Sequence, residues 1–191
     1  MAKAITVDSV WKGIDAWLEK NAKQAYATLQ KGASKAALTK LEKQLGVPLS
    51  AELSAHLSVH DGQVPDTGIA IVNNWQLLSC DAIASAHARL GKLQATGVFE
   101  GRKGANKDGF VKPVWWNEKW VPLIEGPGGD LVCIDMDPSP KGKAGQVITY
   151  FDEVEFRNRD NETMAGYFAG YLNDLTSEYY EVKPNGSLQL Q

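Results

Sequence analysis

The chain has 191 residues, 43% of them apolar and 23% charged, with a formal net charge of −3. That length and balance fit one folded domain with a sizeable core and provide no field that recruits nucleic acid or anionic lipid. No apolar run approaches the ~18 residues of a membrane span. The opening "MAKAITVDSVWKGIDAW" lacks the apolar centre of a signal peptide, so a cytoplasmic protein is expected.

The apolar period changes along the chain and divides it into three parts. Val10, Trp11, Ile14, Trp17, Leu18, Ala25 and Leu29 recur every three or four residues and predict one long helix. Ser34 is a natural N-cap for a second helix through Leu38, Leu41 and Leu45, closed by Gly46 with Pro48 beyond. Ser50 opens a third, with Leu53 and Leu57 inward, ending near Gly62. In the middle, "GIAIV" (68–72) reads as a short strand and "WQLLS" (75–79) as a strand or turn. Asp81 is expected to cap a helix with Ile83, Leu90 and Leu93 on its inner side. The glycine-rich stretch 101–112 has four basic residues against one acid and reads as a mobile, solvated loop.

The last part is rich in β-prone runs. "PVWWNEKWVPLI" predicts a hairpin with Asn117, Glu118 and Lys119 at its turn. "DLVCIDM", "QVITYF" and "VEFRNR" follow as strands. Asp160 is expected to start a closing helix with Met164, Tyr167, Phe168, Tyr171, Leu172 and Leu175 on one face. Asn185-Gly186 in the tail is a strong hairpin signal. The expected class is therefore α+β, with N-terminal helices, a mostly antiparallel sheet in the second half and a closing C-terminal helix.

Chemistry-bearing motifs are sparse. Gly126, Gly128 and Gly129 lie between two strand-like runs with no helix after them, so they predict a turn and not a phosphate cradle. Asp135 and Asp137 alternate on a strand and so offer two carboxylates for a hard cation, but Pro140 and Gln146 stand where a calcium loop needs glycine and glutamate. His56 and His60 are four apart on a helix and form a second metal candidate, although Leu57 stands where a zinc hydrolase needs glutamate. His87 reads as structural. Cys80 and Cys133 sit in apolar runs and read as buried thiols. The residues thus predict no enzyme, no cofactor and no bound metal. Glu125, Asp130, Asp135 and Asp137 place four negative charges and no positive one within residues 125–137, an acidic rim suited to docking. Trp115 and Trp116 are expected to alternate across a strand, so either one of that pair, Trp75 or Trp120 is exposed beside the rim, or the sheet is covered on both faces and none shows. Trp75, Trp116 and Trp120 are the candidate anchors.

"WVPLIEGPGGDLVCIDMDPSPKGKAGQVITYF", followed by "MAGYFAGYLNDL", resembles the SUKH superfamily. Trp120, Pro122, Gly128-Gly129-Asp130, the run Leu131 to Asp135, Gly145-Gln146-Val147 and the aromatic face Tyr167 to Leu172 carry the likeness. "LEKQLGVPLSAELSAHLSVHDGQ" is similar to that family's entry segment, with Asp61-Gly62 where the family tends to have an Asn-Gly-like corner. The family-like core covers about 35–175, with 1–34 an added N-terminal helix and 176–191 a tail or hairpin of one Smi/Knr-type domain. The resemblance implies an α+β domain without a catalytic constellation. It is found in bacterial immunity proteins and in fungal cell-wall regulators. The expected function is that of an immunity protein binding a cognate toxin domain and occluding its active site. The alternatives are a regulatory scaffold of the cell-wall-regulator type and, third, a metal-dependent enzyme. Neither nucleic acid nor membrane is an expected partner.

Overall fold

A computed structural model describes residues 5–106 and 108–191; Met1 to Ala4 and Lys107, part of the basic stretch, lie outside the described residues. Helix α1 (Val7–Asn21) starts at Thr6, whose hydroxyl accepts from Ser9 N–H while Ser9 Oγ accepts from Thr6 N–H in return. The predicted single helix to Leu29 is in fact interrupted. The Asn21 side chain donates to Trp17 O at 2.8 Å, Ala22 leaves helical geometry, and only a short α2 (Lys23–Tyr26) follows. Ser34 caps α3 (Lys35–Leu45), Gly46 closes it at φ 64°, and Ser50 caps α4 (Ala51–Val59), all as the residues predict.

The run 68–72 is not a strand. Ala70 instead exchanges bonds with the C-terminal tail, its carbonyl accepting from Leu188 N–H and its N–H donating to Ser187 Oγ. Asn73 and Asn74, both at positive φ, turn the chain into β1 (Gln76–Leu77). Helix α5 (Cys80–Ala95) is capped by Ser79, two residues before Asp81; Ile83 and Leu90 are buried, but Leu93 faces out.

Strands β2 (Trp120–Glu125), β3 (Leu131–Asp135), β4 (Gln146–Tyr150) and β5 (Arg157–Asn161) extend β1 into a five-stranded antiparallel sheet in chain order. Asp160 lies on β5, and Thr163 caps α6 (Met164–Thr176). The tail forms the hairpin its Asn-Gly predicts, β6 (Tyr180–Val182) with β7 (Leu188–Leu190). The class is α+β. No helix among the described residues is long and apolar enough to cross a membrane.

Both faces of the sheet are buried. Val132, Ile134 and Val147 point to the main core, which the helices fill and to which residues from Val7 to Leu188 contribute. Leu131, Cys133, Ile148 and Tyr150 alternate to a second core that contains Trp115, Trp116 and Trp120. The predicted hairpin does not form, because residues 113–116 are irregular. Without strand alternation Trp115 and Trp116 enter the same cluster, and Trp116 meets Trp120 edge-on at 5.7 Å. Both cysteines are free and buried.

Candidate protein-interaction surface

The acidic segment 125–137 is split between the two ends of β3, and each end has a different role. At the far end the carboxylates are structural. Asp135 is fully buried; it accepts from Gln146 Nε2 and Asp137 N–H, each at 2.9 Å. Burial raises its carboxyl above the usual range despite those bonds. Asp137 lies past the strand end and takes Lys112 Nζ at 2.6 Å and Asn117 Nδ2 at 3.0 Å, which together lower it. The two carboxylates therefore serve different partners. Asp137 fastens the long connection 96–119 to the sheet, and Asp135 braces Gln146, whose Nε2 also donates to Phe110 O. The expected contact residues Asp135, Trp116 and Trp120 are instead interior, with Trp116 and Trp120 in the second core.

The histidine pair is likewise committed. His56 Nδ1 accepts from Trp11 Nε1 at 2.9 Å, and His60 is held between Asp15 Oδ1 and Gln30 O, each at 2.9 Å. No group of three metal-ligating side chains occurs among the described residues. His87 donates through Nε2 to Glu118 O at 2.7 Å. The thiols are far from thiolate character, since burial pushes Cys80 up to about 12 and Cys133 well above its ordinary value.

At the near end the chain builds a surface. The turn from β2 to β3 runs through Gly126 to Asp130, with Gly128 and Gly129 at φ 80° and 94°, where any side chain is strained. A Cβ on Gly126 meets the half-buried Trp75 ring at 2.4 Å, so glycine lets the indole lie flat against the turn. Glu125 pairs with Arg89 at 2.5 Å, and Asp130 Oδ1 accepts from Asp152 N–H at 2.9 Å, tying the turn to the next loop. Tyr150 donates to Asp152 Oδ1 at 2.9 Å.

That loop, "FDEVEF" (151–156), overlaps the run whose alternation predicts a strand. The strand begins only at Arg157, leaving Glu153, Val154, Glu155 and Phe156 exposed. Val154 and Phe156 are 44% and 43% exposed, unusually open for residues of their kind. Two shallow recesses of about 300 and 270 Å³ flank Pro127, one floored by Ala70 and Gly126, the other by Phe151, Val154 and Asp130. The sequence signal for this feature is the alternation of acids with Phe and Val, which a strand pattern also produces. Of the predicted contact residues, the structure thus brings together Trp75, Glu125 and Asp130, and adds Glu153, Val154 and Glu155. This arrangement presents a contact surface. It offers apolar contact inside a negative rim, suited to a partner of opposite charge.

The sequence of residues 32–174 matches the model of the SMI1 / KNR4 family (SUKH-1). The chain belongs to that family. The Schizosaccharomyces pombe protein named cell wall biosynthesis/cell cycle regulator smi1 is 30% identical over 199 residues, 96% of this chain and 39% of its own length. The Neurospora crassa glucan synthesis regulatory protein is 26% identical over 209 residues, 90% of this chain and 38% of its own. The Saccharomyces cerevisiae cell wall assembly regulator SMI1 is 22% identical over 210 residues, 92% of this chain and 42% of its own. This SMI1/KNR4 chain therefore spans about two fifths of the curated relatives it matches. The family likeness drawn from Trp120, the Gly128-Gly129-Asp130 turn and the α6 face agrees with that match, whereas the expected bacterial immunity role does not find its counterpart in these fungal regulators.

Proposed function

We propose that this chain is a regulatory protein-interaction domain of the cell-wall-regulator type, acting by binding and not by catalysis. In this reading it works in the cytosol and docks its partner on the near end of the sheet. The exposed acidic and apolar loop 151–156, set beside the 126–130 turn on which Trp75 packs, is the observation that carries the reading. The regulators to which the chain is similar supply the kind of process. The immunity reading shares the fold and the binding mechanism, and the same experiment separates the two.

The tagged chain, expressed in its own host, is expected to co-purify a stoichiometric protein involved in wall synthesis or its signalling. Titration calorimetry with that partner is expected to show affinity falling as salt rises, and the pair Asp130→Lys/Glu153→Lys to weaken binding on the order of tenfold or more. A partner that kills cells when expressed alone returns the immunity reading. Recovery of no partner at all, or full affinity in the double variant, removes the binding role of this surface.

A further inference from the structure

The outward side of α6 carries a second concave site, away from the acidic turn in sequence and built differently. Gly166 and Gly170 stand one turn apart on the helix; Asn161 Oδ1 closes over Gly166, while Gly170 leaves a bare patch of backbone between larger neighbours. Around it, Tyr167, Asp174, Asp160 and Tyr180 help line a recess of about 230 Å³. That is below the ~300–1,000 Å³ of small-molecule sites and suits one side chain.

The lining has two carboxyl groups outside any ion pair among the described residues, and a phenol without a protein hydrogen-bond partner. Asp160 accepts from Thr149 Oγ1 at 2.5 Å, and among the described residues neither Asp160 nor Asp174 is in an ion pair. Tyr180 is only 8% exposed and lines the recess; among the described residues no protein group hydrogen-bonds its hydroxyl, which solvent reaches. Its neighbour Tyr171, by contrast, gives its hydroxyl proton to Ile71 O. Burial raises both remaining phenols, with Asp160 adding to the effect on Tyr167 and Asp174 to that on Tyr180, so a carboxylate stands near each ring. Two carboxylates are too few to hold a metal, and no group of three metal-ligating side chains occurs among the described residues.

We propose that this recess receives an arginine side chain of the partner protein. A guanidinium is planar, fits against aromatic rings and a bare helix face, and has five N–H donors to divide between two carboxylates and a phenol. A lysine ammonium is a compact point charge that cannot reach both sides at once. The assignment rests on the protein-binding reading above but concerns a separate site, and its test uses a small probe so that the two fail independently.

The test is a titration of the full chain with N-acetyl-arginine methylamide, followed by backbone amide shifts in NMR. Saturable shifts are expected at Tyr167, Gly170, Asp174 and Tyr180. The citrulline analogue, the same shape without charge, is expected to cause none, and the lysine analogue to bind several-fold more weakly. A Cβ on Gly170 meets nothing within 4 Å, so Gly170→Leu is expected to fold normally while filling the recess and abolishing the arginine shifts. Asp174→Asn keeps the shape and is expected to weaken arginine roughly tenfold, the effect of one lost hydrogen bond to a charged group. Citrulline or lysine matching arginine overturns the proposal, as do arginine shifts that survive Gly170→Leu. Partner capture through Asp130 and Glu153 is read separately and stands or falls without this result.

Discussion

Replacing Arg157 by alanine is expected to cost about 3–5 kcal/mol, among the largest losses any single substitution here produces. The side chain is fully buried, with its guanidinium 4.7 Å from the Trp115 ring centre and 4.3 Å from that of Tyr150. It donates from Nη1 to Val154 O (2.7 Å) and Phe156 O (2.8 Å), and from Nε and Nη2 to Trp115 O (3.2 and 3.1 Å). Burial lowers it to about 10, which still leaves it charged at neutral pH. One cation therefore joins the connection before β2 to the loop before β5, adding to the single backbone bridge that Ala105 makes with Phe156. Alanine leaves those carbonyls without donors and opens a cavity among aromatic rings. Urea denaturation followed by tryptophan fluorescence measures the effect, and for a chain of this size the melting temperature falls by roughly 10 °C. Arg157→Lys keeps the charge but not the plane or the fork, and about 2 kcal/mol of loss is expected. A loss below about 1 kcal/mol for alanine means the second core holds itself together without the clamp. Because Val154 and Phe156 carry the clamped carbonyls, the proposed docking loop also depends on it.

Arg157 also explains where sequence patterns stop being informative. Ser34, Gly46, Ser50 and Asn185-Gly186 act within a turn or two of themselves, and the structure has them in the roles their chemistry predicts. Thr163 displaces Asp160 as the cap of α6, because the last strand runs on through Asp160 to Asn161. Trp115 and Trp116 look like alternating strand residues, yet Trp115 is held by a guanidinium 42 residues away in sequence. No local period encodes such a contact. The apolar run 68–72 misleads for a similar reason: the backbone of Ala70 is paired by Ser187 and Leu188, over a hundred positions later.

The candidate surface is half legible for the same cause. Counting charges finds the acidic stretch, but Asp135 faces Gln146 and Asp137 faces Lys112, contacts from a neighbouring strand and a distant loop. Burial decides whether a carboxylate is a brace or a docking group, and burial follows from the whole fold. Glu153 and Glu155 are just as acidic, but their alternation with Val154 and Phe156 imitates a strand and hides them. The family likeness points to the architecture more firmly than to the role, since SUKH-type domains occur in proteins as different as toxin antidotes and wall regulators.

His56 is expected to contribute a loss of stability in acid between pH 6.5 and about 3. Trp11 Nε1 donates to His56 Nδ1, which fixes the neutral ring with its proton on Nε2, and the ring stacks on Phe168 at 5.0 Å. Protonating Nδ1 would set donor against donor in a fully buried site. Burial, with a further push from His60, accordingly lowers His56 from 6.5 to about 3. The unfolded chain takes up this proton below pH 6.5 and the folded chain does not, so stability falls with pH by about 1.4 kcal/mol per unit. Near pH 4.5 the loss from this group reaches about 2–3 kcal/mol. His60 has the opposite sign: burial alone lowers it, but Asp15 and the Gln30 carbonyl together raise it above 6.5. Its contribution is complete below pH 6.5 and is lost as pH rises through the raised value, so the two histidines together favour a stability maximum close to pH 6.5. Urea midpoints at pH 7, 5.5 and 4.5 for wild type and for Trp11→Phe/His56→Leu, which removes both bonding partners, isolate the effect. The double variant is expected to be less stable at pH 7 yet to lose about one proton's worth of acid slope. Equal slopes in the two proteins mean that His56 is protonated in the folded chain and that Trp11 is not its donor.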